Sequence, residues 1–261
     1  MNKKSFEMEP KKRFSSRADN YSKFRPSYPE NIISFLQSEE VLNKDSIIAD
    51  IGSGTGILSE LFLKNGNIVF GIEPNIDMRS TAEINLKNYQ NFHSIDGSAE
   101  STNLEENSLN IVTVGQAFHW FEQAKARKEF KRILKLDGYV VIIWNNRKRS
   151  GSRFLEQYED LLLTYGTDYK KISNIDIDFE QFYGIGKISE VYIREIFENY
   201  QYLDYTGLKG RLLSTSYAPL SGHPNYNNMI TELKKIFEEN NQNGLIRFDY
   251  ETEVYYGQLY E

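Results

Sequence analysis

The feature that most constrains the fold is a short apolar run followed at once by three alternating glycines. Ser46–Ile51 is mostly apolar, as expected for a strand buried on both faces of a parallel sheet, and Gly52–Gly56 follows it. Ile57–Lys64 then carries apolar residues at helical spacing and ends at Asn65-Gly66. A strand, a glycine-rich turn and a helix in this order predict an α/β fold with a ligand at the turn.

Strand and helix alternate with short joins as far as Arg147. This pattern predicts a Rossmann-like, doubly wound sheet that is mostly parallel and carries helices on both faces. A turn is expected at Asp137-Gly138. The further expected strands are Asn67–Ile72, Phe92–Ile95, Leu109–Val114 and Tyr139–Trp144, and the further expected helices are Ile76–Leu86 and Glu122–Leu134.

The pattern is less regular after Arg147. Helices are expected at Arg153–Tyr165 and Tyr226–Glu239, a strand is one interpretation of Glu190–Tyr200, and Arg247–Tyr256 predicts an antiparallel edge strand. Gly166–Asn225 is expected to contribute an irregular substrate lid. We therefore expect a mobile N-terminal arm (1–14) and one domain (15–261). The domain is divided into an N-terminal cap segment (15–45), a cofactor-binding core (46–147), a helical and irregular substrate lid with one strand (148–246) and an edge strand (247–256).

Composition narrows the class of protein. The net charge is −6 without an acidic tail, so no nucleic-acid-binding face is expected, and there are no cysteines for disulfides or thiolate metal sites. No apolar run reaches the roughly 20 residues that cross a bilayer, and no secretory signal is evident. The three histidines lack a ligand spacing, so no metal is expected. We predict a cytoplasmic protein that acts on a small molecule, as a monomer or a homodimer.

The residues that follow each strand are the first site candidates, because ligands bind beyond the carboxyl ends of parallel strands. Glycines in Gly52–Gly56 let the backbone approach a ligand closely. Glu73 can accept hydrogen bonds from both ribose hydroxyls of an adenosine. Asp96–Glu100 leaves room for a flat ring, and its serine, Ser98, can bond an exocyclic amine. Gln116–Phe121 ends the fourth strand with three aromatic residues and a histidine.

These motifs resemble those of the class I S-adenosylmethionine-dependent methyltransferases, and within them the type-11 group that includes trans-aconitate methyltransferase-like proteins. Arg17–Pro29 also resembles the N-terminal segment of this group, and Ser214–Tyr217 is weakly similar to its C-terminal cap. The resemblance is strongest for residues 17–147. The matching motifs are DIGSGTG (Asp50–Gly56), GIEPN (Gly71–Asn75), GSAE (Gly97–Glu100), GQAFHWF (Gly115–Phe121) and LDGYVVIIWNNR (Leu136–Arg147).

The resemblance implies a seven-stranded sheet with the last strand antiparallel and a small helical cap. It implies S-adenosylmethionine as cofactor and S-adenosylhomocysteine as product. Many relatives have Asp at the position of Ser98, and a serine there can contact the adenine amine but brings no charge. The implied cofactor-binding residues are Tyr21, Arg25, Asp50, Gly52, Ser53, Gly54, Gly56, Glu73, Pro74, Met78, Ser98, Ala99, Glu100, Gln116, Ala117 and Phe118.

Residues for the acceptor are harder to assign from the sequence. His119 is the best-placed candidate for a general base and alternatively orients the substrate. Arg25 and Arg147 could clamp a carboxylate, and the acceptor atom is a carboxylate or hydroxyl oxygen in this interpretation. The candidate walls of the acceptor pocket are Trp120, Trp144 and Tyr217.

Two other functions stay open. One is a relative that binds the cofactor but transfers no methyl group. The other is a NAD(P)-dependent oxidoreductase, but the dinucleotide motif would place a small residue where this chain has Ile57.

Overall fold

The computed structural model describes residues 22–167, 169, 178–184 and 192–260. The predicted mobile arm (1–14) and the predicted cofactor contact Tyr21 lie outside these residues, as do the first two residues of the expected strand at Glu190–Tyr200.

A seven-stranded sheet forms the centre of the molecule, in the order β3-β2-β1-β4-β5-β7-β6. Strands β1 to β5 pair in parallel, whereas β7 pairs antiparallel with both β5 and β6. The sheet is therefore mixed, which corrects the expectation of a mostly parallel sheet, because β7 runs antiparallel to both β5 and β6. The strand expected at the edge, Arg247–Tyr256, is antiparallel as predicted but lies between β5 and β6, and β6 forms the edge. The strands are β1 Ile47–Ile51, β2 Ile68–Ile72, β3 Phe92–Ile95, β4 Leu109–Gly115, β5 Leu134–Arg147, β6 Ile193–Leu203 and β7 Ile246–Gly257.

Helices cover both faces of this sheet, as predicted. Along β4, Ile111 faces a core that contains residues of the first two helices, whereas Val112 faces a second core that contains Phe130. Each fully buried aliphatic side chain contributes about 1.5–3 kcal/mol to folding. The helices of this half are α1 Asn31–Ser38, α2 Ile57–Lys64, α3 Ile76–Asn85 and α4 Gln123–Ile133, with a short 3₁₀ turn at Phe118–Trp120.

A third apolar core holds the helical cap beside the ends of β6 and β7. Tyr158, Leu208, Leu233 and Phe248 are among its buried members. The expected irregular segment between Gly166 and Asn225 contains regular helices at Phe179–Tyr183 and Tyr205–Leu213 and the whole of the 11-residue strand β6. The cap helices are α5 Arg153–Tyr165, α7 Tyr205–Leu213 and α8 Tyr226–Asn240, whereas the short helix α6 Phe179–Tyr183 packs in the second core.

Strand β5 begins earlier than the sequence pattern predicts. It starts at Leu134, directly after α4, and the expected turn at Asp137-Gly138 lies inside it. The register with β4 shifts between Leu109 and Ile111, so the extra residues of β5 form an irregularity in the ladder.

Candidate functional site

The glycine bend after β1 has a backbone that other residues rarely adopt. Gly52 and Gly54 have φ values of +69° and +57°. A Cβ on Gly52 would lie 2.7 Å from the Cβ of Ala117, so the bend after β1 packs directly against the end of β4. This contact explains why a glycine and an alanine stand at these two positions.

Glu73, at the end of β2, points at the glycine bend. One carboxylate oxygen accepts a hydrogen bond from the backbone N–H of Gly54 at 3.0 Å, and the other accepts from Asn75 at 2.8 Å. Burial raises the pKa of Glu73, although both backbone N–H groups favour the charged form. Each oxygen keeps a lone pair, which suits the two hydroxyls of a ribose.

Asp50, the residue before Ile51 in β1, presents an unsatisfied carboxylate oxygen to the site. It is 1% exposed. Its Oδ2 accepts from the hydroxyl of Ser59 at 2.6 Å, whereas its buried Oδ1 has no partner in the described part of the chain. Burial raises the pKa of Asp50 to about 7. A buried carboxylate with one open oxygen favours a cationic partner such as an ammonium group.

Residues after β2 and β3 flank the bend on the side of Glu73. Pro74 is half-buried, and the methyl of Met78 lies 3.4 Å from the position of a Cβ on Gly54. Ser98 forms an isolated bridge with Ser101, Ala99 is buried, and Glu100 accepts a hydrogen bond from the backbone of Glu122. Ser98, Ala99 and Glu100, which are predicted to flank a flat ring, therefore follow β3, the strand at this edge of the sheet.

A cleft of about 480 Å³ opens beyond β1, β4 and β5. It brings together six of the predicted cofactor contacts: Arg25, Asp50, Gly52, Ser53, Gly54 and Gln116. The lining residues that sequence reasoning missed are Pro26, Tyr28, Thr55, Ile57, Leu58, Gly115, Asn145 and Arg211.

Gln116 has an unusual backbone where β4 ends in this cleft. Its φ is +58°, a conformation that costs a non-glycine residue on the order of 1–3 kcal/mol. Its N–H donates to the carbonyl of Ile143 at 3.1 Å, while its buried Nε2 has no partner among the described residues. The buried hydroxyl of Thr55 is also without one in that part of the chain. Both groups leave hydrogen-bonding capacity facing the cleft.

The aromatic run after β4 packs mostly into the core beneath the cleft. Phe118 is fully buried against Phe121, Trp144, Phe179 and Phe182, so its ring lies among other aromatic rings. Neither Phe118 nor Trp144 is among the residues that line the cleft.

His119 and Trp120 also lie outside the lining of the cleft. Their rings are 4.6 Å apart, and burial lowers the pKa of His119 to about 4. The imidazole is therefore neutral at pH 7, and its conjugate acid holds a proton weakly.

The two predicted arginines have different surroundings. Arg25 donates to the side chain and the carbonyl of Ser214 at 3.1 and 3.2 Å, which ties the N-terminal segment to the cap. Arg147 forms an ion pair with Glu159 and donates to the hydroxyl of Tyr169 at 2.7 Å. Arg147 is therefore already matched by a carboxylate inside the cap.

The cap contributes one cleft residue without any sequence signal. Arg211, in the last turn of α7, is 5% exposed, and its Nε donates to the hydroxyl of Tyr250 at 3.0 Å. Tyr217, a predicted wall of the acceptor pocket, stacks edge-on with Tyr169 and interacts electrostatically with Arg211. An arginine within an ordinary amphipathic helix looks like a solvated residue until the tertiary contacts are known.

Two further observations concern metals and membranes. Across residues 22–167, 169, 178–184 and 192–260, no group of three or more His, Asp or Glu side chains is arranged to hold a metal ion. Within the same ranges, no helix has both the length and the apolar character needed to cross a membrane.

The part of the chain that contains the glycine bend and Glu73 is similar to known proteins. Residues 49–142, which run from β1 into β5, match a family model described as a methyltransferase domain. An uncharacterized methyltransferase of Schizosaccharomyces pombe is 32% identical over 138 residues, 52% of this chain and 54% of that protein. The chain thus spans about half the length of the curated relatives it matches.

Solved structures share the fold over a larger part of the chain. A candidate type II methyltransferase from Anaeromyxobacter dehalogenans has a TM-score of 0.66 at 16% identity, with 90% of this chain and 98% of that chain covered. Phosphoethanolamine N-methyltransferase 2 of Haemonchus contortus, solved with S-adenosylhomocysteine, has a TM-score of 0.53 at 14% identity, with 95% and 58% covered. At these identities the likeness shows the fold alone.

The glycine bend and Glu73 both lie within the residues that match the family model. The matches do not distinguish the trans-aconitate subgroup, which stays a prediction. Together, the family match and the relatives show that residues 49–142 of this chain are similar to a methyltransferase domain.

Proposed function

We propose that this protein is an S-adenosylmethionine-dependent methyltransferase that moves a methyl group to a small-molecule acceptor. The observation that carries the proposal is the pairing of Glu73 with the glycine bend: a buried carboxylate hydrogen-bonds to Gly54 and keeps lone pairs for a ribose. An adenosyl amino acid matches this pairing because it offers a diol beside a charged amino group.

Unsatisfied polar groups around the cleft fit the rest of the cofactor. The open Oδ1 of Asp50 suits the ammonium of the methionine part, and the free amide nitrogen of Gln116 suits an acceptor oxygen nearby. The glycines at positions 52, 54 and 56 remove side chains from the path of the methionine part. On the outer side, Ser98, Ala99 and Glu100 would flank the adenine, with Pro74 and Met78 between.

Bound S-adenosylmethionine supplies a methyl group that is already activated by a positive sulfur. The protein's task is then to hold the acceptor in line with the bond that breaks, and such positioning supplies about 7–11 kcal/mol. The end of β4, with Gln116 and Ala117, stands between the bend and the acceptor side of the cleft.

His119 fits an orienting role better than a basic one in this proposal. A group with a pKa of about 4 keeps little of an abstracted proton at neutral pH, so a carboxylate acceptor, or one that loses its proton to water, is favoured. Trp120, Trp144 and Tyr217 remain proposed walls of the acceptor site, and Phe118 a proposed support beneath it.

The experiment that tests the proposal measures S-adenosylhomocysteine formation by the purified protein with a panel of small acids, alcohols and amines. Formation that depends on an added acceptor is expected. If S-adenosylhomocysteine binds but no acceptor supports turnover, the chain is a non-catalytic cofactor-binding relative. If NAD binds in its place, the oxidoreductase alternative is supported and the proposal is wrong.

A further inference from the structure

The cap end of the cleft holds a buried guanidinium that is not neutralised by a carboxylate. Arg211 lines the cleft and is 5% exposed. Its Nε is held by the hydroxyl of Tyr250, which itself donates to Gln201 at 2.8 Å. In the part of the chain that the structure describes, no acidic side chain forms an ion pair with Arg211, and only its Nε has a hydrogen-bond partner.

Burying the charged guanidinium of Arg211 costs free energy unless an anion binds to it. A guanidinium stays charged and carries five N–H donors, so burying it without an opposite charge is strongly unfavourable. Arg147 shows how the cap neutralises a cation that it only packs, because Glu159 and Tyr169 both contact that guanidinium. Arg211 has aromatic neighbours instead, with the rings of Phe248 and Tyr250 5.8 and 5.7 Å from its central carbon.

Other groups around Arg211 suit the same kind of ligand. The hydroxyl of Tyr158 is fully buried, interacts electrostatically with Arg211, and has no hydrogen-bond partner among the described residues. Arg25 lines the same cleft from the N-terminal segment and brings a second positive charge. Two guanidinium groups and a nearby hydroxyl match an oxyanion, and the planar fork of arginine matches a carboxylate in particular.

The position of Arg211 separates it from Asp50 and the glycine bend. Tyr250, which holds it, lies on β7, whereas Asp50 and the glycine bend belong to β1. In the sheet order β1-β4-β5-β7 these strands are three spacings apart, about 14 Å at about 4.8 Å per strand. A ligand of Arg211 therefore occupies the far end of the cleft.

We propose that Arg211 binds a carboxylate of the methyl acceptor and anchors that molecule in the cleft, an inference that rests on the proposed function. The anchored carboxylate is distinct from the atom that receives the methyl group. Pairing with a guanidinium occupies the lone pairs of a carboxylate and makes it a poorer nucleophile. A different oxygen or nitrogen of the same acceptor then faces the β4 end.

The test uses the full-length protein loaded with S-adenosylhomocysteine, after binding of that compound has been established. Mono-, di- and tricarboxylic acids are titrated by ligand-observed NMR, each beside its uncharged amide. We expect acids to bind and amides to bind about tenfold more weakly or worse. Arg211→Met abolishes the preference, Arg211→Lys weakens it, and Arg153→Met, an exposed cap arginine, leaves it unchanged.

Tyr250→Phe is a second variant that leaves the guanidinium in place, should Arg211→Met fail to fold. It removes the hydroxyl that holds Nε, and we expect it to weaken acid binding while the protein still binds S-adenosylhomocysteine.

Three results would overturn the inference while leaving the proposed function intact. The first is S-adenosylhomocysteine binding without binding of any acid, or equal binding of acids and amides. The second is loss of S-adenosylhomocysteine binding in Arg211→Met with unchanged binding of its decarboxylated analogue, which would assign Arg211 to the cofactor's own carboxylate. The third is esterification of bound monocarboxylic acids when S-adenosylmethionine is supplied, because the anchored carboxylate would then be the group that receives the methyl. Failure to bind S-adenosylhomocysteine at all would instead reject the proposed function.

Discussion

The two ends of the cleft are built in different ways. At the β1–β2 end, the contacts come from residues close together in sequence, because the glycine bend and Glu73 are held by backbone hydrogen bonds across neighbouring strands. At the other end, Arg25, Asn145 and Arg211 come from three distant segments and line the cleft together. Function at the first end depends on backbone shape, and function at the second depends on the packing of the cap.

The largest expected effect on ligand affinity comes from a substitution in the glycine bend, at the β1–β2 end of the cleft. Gly52→Ala should lower affinity for S-adenosylhomocysteine by about a hundredfold or more, because the new Cβ collides with Ala117 and φ is positive. Gly222→Ala is the matched control, since Gly222 also has positive φ (+93°) but meets nothing within 4 Å. Calorimetric titration of both variants checks this. Equal affinities in the two would remove the special role of the bend.

Glu73→Gln should have the next largest effect, about 10- to 100-fold weaker binding of S-adenosylhomocysteine. The carboxylate accepts hydrogen bonds from two backbone N–H groups, whereas the amide has only one acceptor oxygen and turns a donor toward one of them. Glu83→Gln, on the exposed side of α3, is the control and should bind normally. The same titration measures both, and an unaffected Glu73 variant would contradict the ribose assignment.

Asp50 should make the stability of the ligand-free protein depend on pH. Its pKa of about 7 in the folded, ligand-free chain exceeds the ordinary 3.8, so the folded state holds a proton that the unfolded state releases between these values. Stability without ligand therefore falls as pH rises through this window, by up to about 1.4 kcal/mol per pH unit. Asp50→Asn should flatten the slope in thermal or urea unfolding.

Ligand binding should show the opposite trend at Asp50. An ammonium group requires the charged carboxylate, so affinity for S-adenosylhomocysteine should fall up to about tenfold per pH unit below pH 7 and level off above it. Calorimetry in buffers of different ionisation enthalpy should detect proton release on binding near pH 6. Binding without proton release in that range would contradict the assignment of Asp50 to the amino group.

The smallest effect is expected at His119. Its pKa of about 4 gives it little capacity as a base, so His119→Ala should change turnover at pH 7 by only about threefold or less through altered packing. The rate of S-adenosylhomocysteine formation checks this. A loss of about a hundredfold or more, with a pH profile that loses one ionisation, would restore His119 as the base.

The same contrast explains how much the sequence could predict. Gly52, Gly54 and Glu73 could be assigned because parallel strands bring consecutive strand ends to one edge. Arg211 could not, since nothing in its helical neighbourhood indicates which face meets β7. Arg147 resembled a substrate clamp in the sequence, but Glu159, 12 residues away on α5, pairs with it. The helix α7 also escaped prediction because its two glycines, Gly207 and Gly210, weaken the helical signal.

The packing around Gly210 explains why α7 contains a glycine at this position. A Cβ there would lie 2.2 Å from the ring of Phe24, so the glycine permits close packing of the N-terminal segment against α7. A residue that lowers local helix propensity is therefore retained for a contact between segments far apart in sequence.

The central claim is that the glycine bend and Glu73 jointly bind an adenosyl amino acid. Calorimetric titration of the purified wild-type protein with S-adenosylhomocysteine, beside NAD, tests it most directly. We expect saturable one-to-one binding of S-adenosylhomocysteine and none of NAD. Absence of heat with the first compound, or tighter binding of the second, would contradict it.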